Sequence, residues 1–419
     1  MFGQATILLI GALLIVSVAA RAGLLFVVSI LLLLTALAAR IWERHGLDRL
    51  EYRRSFSQRR AFFGEEIDLV IEVVNRKVLP VPWLKVEEEV PTELAPPVGA
   101  VATADQPDRS RLTSLLSLRW YERVRRRYRI RCVARGYHRF GPARLQTGDP
   151  FGFADQELVA PGVDYLLVYP KVVPLPDLGL PPREPFGDLK AREWIFEDPV
   201  HTAGVREYAP GDDPRRVHWK ATARSRRLQV KILEPSTTHR LLIALNMNVS
   251  GPAWWWQAYD PELLEQAISA AASIAHWAVD RGYQVGLSAN GKEYLSDQRI
   301  KIPPGRDPDQ LPLLLAALGK LIPVATQPLE TILQTDGRAL TGRATVVVIT
   351  ALLNGGILTE LLALRAVGHR VALLLAGDQV PDPKVPGILV RRIGRPEAVE
   401  SSIVQTRSGP GLPAPAVER

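Results

Sequence analysis

Three features predict a multidomain α+β protein with a membrane anchor. Two apolar runs open the chain, a central stretch alternates with period two, and the last third alternates short apolar runs with helical patterns. With 419 residues, there is chain enough for two or three domains. The predicted organisation is a transmembrane helical hairpin over residues 1–40, a β-sandwich over 50–172, a Pro-rich linker and charged segment over 173–236, a doubly wound α/β domain over 237–394 and a disordered tail over 395–419.

Ala5–Ala20 and Ala22–Ala39 carry no ionisable residue and are separated by Arg21. At the helical rise they span about 24 and 27 Å, close to the roughly 30 Å of a bilayer's apolar layer. One continuous helix would be too long for a single crossing and would hold Arg21 at mid-membrane, so two helices turning at Arg21 are expected. Ala36-Leu37-Ala38 has the small residues of a leader-cleavage site, but no Lys or Arg precedes the apolar run, so an anchor is preferred. Arg40, Arg44, Arg49, Arg53 and Arg54 follow the second run, which places both ends and the soluble body on the cytoplasmic side of the cell membrane. The single cysteine, Cys132, allows no intrachain disulfide, and the net charge of +8 suits a body held beside anionic lipid.

In the central stretch, Ile67, Leu69, Ile71 and Val73 alternate with Glu66, Asp68, Val70 and Glu72, and Leu84, Val86, Glu88 and Val90 alternate with Lys85, Glu87 and Glu89. Further strands are expected at Leu112–Leu118, Arg123–Ala134 and Leu166–Tyr169, punctuated by turns such as Gly141-Pro142. Several short strands in about 120 residues predict a sandwich. Pro91–Ser110 is rich in small residues and Pro and is expected to be a mobile loop, and the Pro-rich Val173–Pro185 a linker. Arg123, Arg125, Arg127, Arg129 and Arg131 share one strand face, where pairing with an acidic strand, that of Glu66, Asp68 and Glu72 or that of Glu87 and Glu89, is favoured over a binding stripe. Without interleaved aromatics, nucleic-acid binding is not expected.

Beyond residue 236, strands are expected at Arg240–Asn246, Gln284–Ala289, Ala344–Thr350 and Val371–Ala376, with helices at Pro261–Arg281, Pro308–Leu321 and about Ile357–Val367. Asp260-Pro261 and Asp307-Pro308 both have the form of an Asp cap followed by Pro at the first helical position.

Between the two domains lies Arg206-Glu-Tyr-Ala-Pro-Gly-Asp-Asp-Pro-Arg-Arg-Val-His-Trp-Lys-Ala-Thr-Ala-Arg224. A turn at Pro210-Gly211 and a helix from Pro214 to about Ala223, capped by Asp213, are expected, with Arg216 and Lys220 sharing one face. The mixture of signs at Asp212, Asp213, Arg215, Arg216, His218, Trp219, Lys220 and Arg224 suits recognition of a partner loop, although a solvated helix with Trp219 packed in a domain seam would read the same way. No catalytic signature is present: the histidines are scattered, and there is no metalloprotease motif, P-loop or Gly-x-Ser-x-Gly. Cys132 is expected to be packed. Trp254-Trp255-Trp256 is expected to close the top of the sheet. No enzymatic activity and no cofactor are expected, the alternative being an acid–base site in a cleft beside Asp213 and His218.

The Arg206–Arg224 segment resembles the signature of the bacterial "domain of unknown function 58" family, and Arg135-Gly136-Tyr137 through Gly148-Asp149-Pro150-Phe151-Gly152 resembles that family's upstream signature. The resemblance implies a C-terminal domain like that of von Willebrand factor A, which often holds a divalent cation at its strand ends. The matching positions here are Asn246, Asn248, Ser250 and Thr350, followed by Ala351, so both expected carboxylates are missing and a metal is not expected. The family resemblance also implies a partner, a MoxR-type AAA+ ATPase, and hence an interaction or adaptor protein, with an envelope-assembly scaffold as the alternative.

Overall fold

The computed structural model describes residues 4–94, 101–103, 108–152, 155–182, 185–186, 196–209, 212–214, 217–236, 239–249, 260–340, 342–377, 383, 385–394 and 417–418. The chain divides into two compact units, one built mainly from Met1–Lys171 and the other mainly from Val172–Val399.

In the first unit, helix α1 (Gln4–Ala19) and helix α2 (Gly23–His45) pack against each other across a turn in which Arg21 adopts φ 51°. Small residues make the approach possible: Ser17, Ser29, Ala36 and Ala39 are buried with Ile10. The two serine hydroxyls donate to Leu14 O and Leu25 O, so neither is left unsatisfied in the apolar contact. Among the described residues, α2 alone is long and apolar enough to cross a membrane. It runs five residues beyond the expected end at residue 40 because no breaker intervenes before Gly46.

Its C-terminal end is bonded to the sheets of the same unit. The Lys77 ammonium donates to His45 O (2.6 Å) and Gly46 O (2.5 Å), where the last carbonyls of a helix attract a cation. Burial pushes that ammonium down to about 8. Trp42 Nε1 donates to Pro80 O at 3.0 Å, and Leu47 N donates to Gln156 Oε1 at 3.1 Å.

Three antiparallel-rich sheets follow. The first orders Leu50–Phe56, Glu66–Asn75, Arg123–Arg131 and the short Val417–Glu418. The second orders Asp155–Ala160, Ala143–Gly148, Val81–Pro91, Arg109–Leu118 and Val101–Thr103, and the third Arg60–Ala61, Asp164–Val168 and Gly136–Phe140. Their inward residues form one core that includes Ile67, Leu69, Ile71, Leu84, Val86, Leu112, Phe140 and Leu166. Pro91–Ser110 is not simply a loop: a 3-10 turn (Thr92–Leu94) buries Leu94, and Val101–Thr103 pairs with Ser110–Leu112. Residues 395–416 of the expected tail lie outside the described residues, while Val417 and Glu418 pair with Arg126 and Arg125.

The arginine-rich strand pairs as expected with the acidic one. Glu66, Asp68 and Glu72 face Arg131, Arg129 and Arg125 in register, and Glu72 Oε2 lies 2.5 Å from Arg125 Nε. These pairs are exposed on the arginine side and contribute little each.

A different ion pair is fully enclosed. Glu88 occupies an inward position between Val86 and Val90 and is 0% exposed. Arg54 Nη1 and Tyr52 OH both donate to its carboxylate. Arg54 also donates to Asp164 Oδ2 (3.0 Å) and Gly162 O (2.7 Å), so one guanidinium links strands of all three sheets. Burial, with Glu88 beside it, pushes the Tyr52 hydroxyl far above its usual range, which keeps it a neutral donor. Gly141 (φ 89°) passes so close that a Cβ there would lie 2.6 Å from the Arg54 guanidinium. Arg54 is therefore withdrawn from the cluster of arginines that follows the apolar runs. Cys132 is buried, its thiol pushed up to about 11 by the apolar surroundings.

The second unit holds a seven-stranded sheet. Its order is Arg299–Gly305, Gln284–Glu293, Arg240–Leu245, Thr345–Thr350, Arg370–Ala376 and Leu389–Ile393, with Leu321–Ala325 paired to the far part of Gln284–Glu293. Arg299–Gly305 and Leu321–Ala325 are antiparallel, and the remaining pairings are parallel. Helix α4 (Pro261–Asp280) packs on the sheet with Leu264, Ala267, Ile268, Ala271, Ile274 and Ala275 buried, and Asp260 caps it by accepting from Leu263 N. Asp307 does not cap the next helix: α5 (Gln310–Lys320) starts three residues later, after Asp309. Helix α6 (Leu329–Ile332) runs on into a π-helical turn (Leu333–Gly337), and α7 (Gly355–Ala366) follows, capped by Asn354.

The Pro-rich stretch is packed rather than spacer-like. Leu175, Leu178 and Leu180 are buried, Val173 N donates to Ser273 Oγ, and Trp277 Nε1 donates to Pro182 O. Prolines stiffen the segment, while its leucines supply an apolar face for α4.

Removing one partner of the enclosed pair should expose its energy. Arg54→Met is expected to cost about 3–5 kcal/mol by leaving Glu88 buried and unpaired, and the double variant with Glu88→Leu to recover most of it. Urea unfolding midpoints of the full-length protein in detergent measure both, and an unchanged midpoint in the single variant contradicts the assignment.

Candidate functional site

Two polar constellations of the second unit stand out. The first lies at the carboxyl ends of the parallel strands. From Arg240–Leu245 the chain moves to Gln284–Glu293 on one side and later returns to Thr345–Thr350 on the other, so the order in which strands are added reverses at this point while the strands stay parallel. Such a switch point is where open α/β sheets place ligands.

Here the switch point is filled by the protein's own amides. Asn246 Nδ2 donates to Thr350 Oγ1 (3.0 Å), and Asn246 Oδ1 accepts from Asn248 N (3.1 Å) and Asn290 Nδ2 (2.9 Å). Asn290 Oδ1 accepts from Met247 N at 2.6 Å, and the Thr350 hydroxyl donates onward to Leu352 O. Asn246, Asn248, Asn290 and Thr350 are all buried. Sequence reasoning found Asn246, Asn248 and Thr350 but missed Asn290, whose polar side chain interrupts the apolar Gln284–Glu293 strand where it reaches the network. Ser250 and Trp254–Trp256 lie outside the described residues. The oxygens of Asn246 and Asn290 are engaged by N–H groups, and neutral amides without a carboxylate are a poor donor set for a divalent cation. Among the described residues no cluster of His, Cys, Asp and Glu has the form of a metal site.

Beside the antiparallel edge, Asp336 is buried under Arg299, Lys301 and Ser288. Burial pushes its carboxyl up, but hydrogen bonds from Arg299, Lys301 and Ser288 outweigh that and hold it well below the usual carboxylate range. This pairing fixes the Arg299–Gly305 strand to the turn after α6.

The second constellation is the charged segment. Phe196–Glu207 and Gln229–Ser236 form a two-stranded antiparallel ribbon, and the segment closes its end. Arg206 grips Asp212 with two hydrogen bonds of 2.6 Å, and Asp212 Oδ2 also accepts from Ala209 N. Asp212 thus closes the turn back onto the ribbon, a charge-assisted bidentate contact.

The helix differs from the expected one. It is α3, Trp219–Ser225, and its cap is His218, whose Nδ1 accepts from Ala221 N at 3.1 Å. Asp213 and Pro214 precede it and do not cap it. Pro214 starts only a 3-10 turn, closed by Val217 N donating to Pro214 O at 3.3 Å, and Val217, buried and bridged to Val230, ends it before α3 begins. Arg215 and Arg216 themselves lie outside the described residues. Trp219 is not packed in a seam but is 71% exposed, and Asp213, Lys220 and Arg224 are exposed too. Lys220 and Arg224 stand four residues apart on α3, on one face. The arrangement offers an indole and two cations to a partner, held on a ribbon by Arg206–Asp212 and by Arg227–Glu207 at 2.8 Å.

One comparison with known proteins falls on this half of the chain. Residues 204–407 match the family model described as a protein of unknown function, DUF58. The match takes in the charged segment and the parallel sheet, whereas the upstream motif from Arg135 to Gly152 lies outside it. The uncharacterized protein YeaD of Bacillus subtilis (strain 168) is 28% identical over 187 residues, covering 42% of this chain and 41% of that protein. This chain thus matches about two-fifths of the relative's length. Among solved structures, an aerotolerance-related membrane protein from Bacteroides fragilis NCTC 9343 is 20% identical, with a TM-score of 0.25 over 36% of this chain and 73% of that one. The CARDB domain of a Pyrococcus furiosus protein is 15% identical, with a TM-score of 0.20 over 28% of this chain and 89% of that one. Scores this low do not establish a shared fold.

Two measurements test these local assignments. Asp336 has a depressed folded-state pKa, so its contribution is present above the unfolded carboxyl value of about 3.9 and is lost as pH falls below it. Asp336→Asn is expected to lower the unfolding midpoint at pH 7 and to flatten the acid limb below about pH 4. His218→Ala is expected to cost about 0.5–2 kcal/mol of local stability through the lost cap, with His218→Asn retaining most of it. Amide exchange at Ala221 reads that difference directly.

Proposed function

We propose that this chain is a membrane-anchored, non-enzymatic adaptor that uses the charged segment to engage a MoxR-type AAA+ ATPase. The observation that carries the proposal is the exposed Trp219 flanked on α3 by Lys220 and Arg224, on a ribbon braced by Arg206 and Asp212. A large rigid aromatic beside cations is the composition of an interaction hot spot, and nothing else in the described unit covers it. We read the first unit as a β-sandwich and the second as a von Willebrand A-like domain whose degenerate site at Asn246, Asn248, Ser250 and Thr350 leaves recognition to side chains rather than to a bound cation. With Arg40 and Arg44 near the C-terminal end of α2 and Arg49 and Arg53 after it, the soluble body is assigned to the cytoplasmic face.

An acid–base site at Asp213 and His218 is the competing reading. The engagement of His218 Nδ1 with Ala221 N speaks against it, because that lone pair already accepts a hydrogen bond. Turnover lost in His218→Ala would restore it. A scaffold for envelope assembly is the third reading, and oligomer mass in detergent separates it from an adaptor.

Cross-linking of the full-length protein in native membranes, with ATP present or depleted, tests the adaptor. ATP-dependent capture of an AAA+ ATPase is expected, reduced about tenfold or more by Trp219→Ala and by Lys220→Glu with Arg224→Glu, corresponding to about 1.4 kcal/mol or more. Unchanged capture by folded variants removes α3 from the contact.

A further inference from the structure

The turn linking Glu66–Asn75 to Val81–Pro91 is tied to the end of α2 by three hydrogen bonds. Lys77 Nζ donates to His45 O and Gly46 O, and Trp42 Nε1 donates to Pro80 O. Trp42 lies three residues past Ala39, the last residue of the uncharged run, which is about 4.5 Å along the helix. The layer of headgroups outside the hydrocarbon is about 5–7 Å thick on each side. If α2 crosses the membrane, the Trp42–Pro80 bond therefore sets this turn at headgroup depth.

A second turn is fastened to the first. Tyr121 N donates to Lys77 O (3.3 Å), Asn75 Nδ2 donates to Arg119 O (2.8 Å), and Asn75 N donates to Glu122 O (2.9 Å). Arg119 N donates to Glu122 Oε2 at 2.6 Å, which closes the turn and turns its middle outward. The two turns present large side chains to the outside: Val78 is 69% exposed, Trp120 64% and Tyr121 65%. Arg44, Arg49 and Arg119 are exposed at the same end of the unit, Arg49 through its carbonyl's bond with Arg76 N.

Exposed Trp and Tyr among arginines is an unfavourable surface in water but the composition of a membrane interface, where the rings sit among headgroups and the cations meet anionic lipid. We propose that Val78, Trp120 and Tyr121, with Arg44, Arg49 and Arg119, form a lipid-facing seat that rests the first unit on the headgroup layer beside α2. The proposal rests on the reading of α2 as a membrane span. It fixes the unit's attitude to the bilayer by two turns in addition to the helix end. The chain from His45 to Leu50 is short and leaves no spacer that would let the unit lift away.

Bimane on single introduced cysteines in the full-length protein tests the seat, since the native Cys132 is buried and does not compete for label. Val78→Cys reports on the seat and Leu31→Cys on the lipid-facing side of α2, where Leu31 is 65% exposed. Arg59→Cys is the control, beyond the far end of the Leu50–Phe56 strand and about 20 Å away at the strand rise. The protein is reconstituted in phosphatidylcholine–phosphatidylglycerol vesicles carrying nitroxide either on the headgroup or within the acyl chain. Several-fold stronger headgroup quenching at 78 than at 59, with acyl-chain quenching at 31, is the expected result. Equal weak quenching at 78 and 59 with strong quenching at 31 overturns the seat while leaving the span, and makes the exposed aromatics a surface for a protein. Absence of quenching at 31 overturns the span and the seat together.

Discussion

Glu88 stands at an inward position of the longest strand in its sheet, and a carboxylate taken out of water there is tolerated only if charge and donors surround it. Arg54 and Tyr52 of a second sheet meet that demand, and Arg54 in turn donates to Asp164 of a third. The geometry this imposes extends outward. The three sheets must converge at one point, Gly141 must lack a side chain where the guanidinium passes, and Arg54 cannot take part in any contact with lipid. An apolar residue at position 88 would pack the same core without specifying how the sheets meet. Buried ion pairs are weak sources of stability but can be demanding sources of register.

The same unit treats its membrane anchor as part of the fold. Carbonyls at the end of a helix need partners, and here Lys77 supplies them from a β-turn instead of water. That choice couples the direction of α2 to the sheets, so the arginines after the helix and the aromatics on the neighbouring turns share one end of the unit. In the second unit, apolar strands build a parallel sheet whose switch point is occupied by Asn246, Asn290 and Thr350 bonded to one another. Neutral groups satisfy one another in a buried setting where a lone carboxylate would require a cation.

The charged segment illustrates how a local preference yields to a distant contact. Asp-Asp-Pro is a strong helix-start signal, yet it yields only a 3-10 turn at Pro214, and the α-helix waits until Trp219 because Val217 is buried and bridged to Val230. His218 then takes over the capping role. The shift moves Trp219 to an exposed first position of the helix.

Local patterns in the chain were enough to reveal the turn at Arg21, the acidic and basic strands that pair, the four apolar strands of the parallel sheet and the cap at Asp260. Each follows from interactions within a few residues or from periodicity along one element, and both can be read in one dimension. What depended on tertiary structure was every polar group satisfied from afar: Arg54 on Glu88, Lys77 on the end of α2, Asn290 in the strand-end network, Arg299 and Lys301 on Asp336. The packed state of the Pro-rich stretch and the late start of α3 belong with them. A buried donor or acceptor must find a partner wherever the fold brings one, and sequence separation carries no record of which residue that will be.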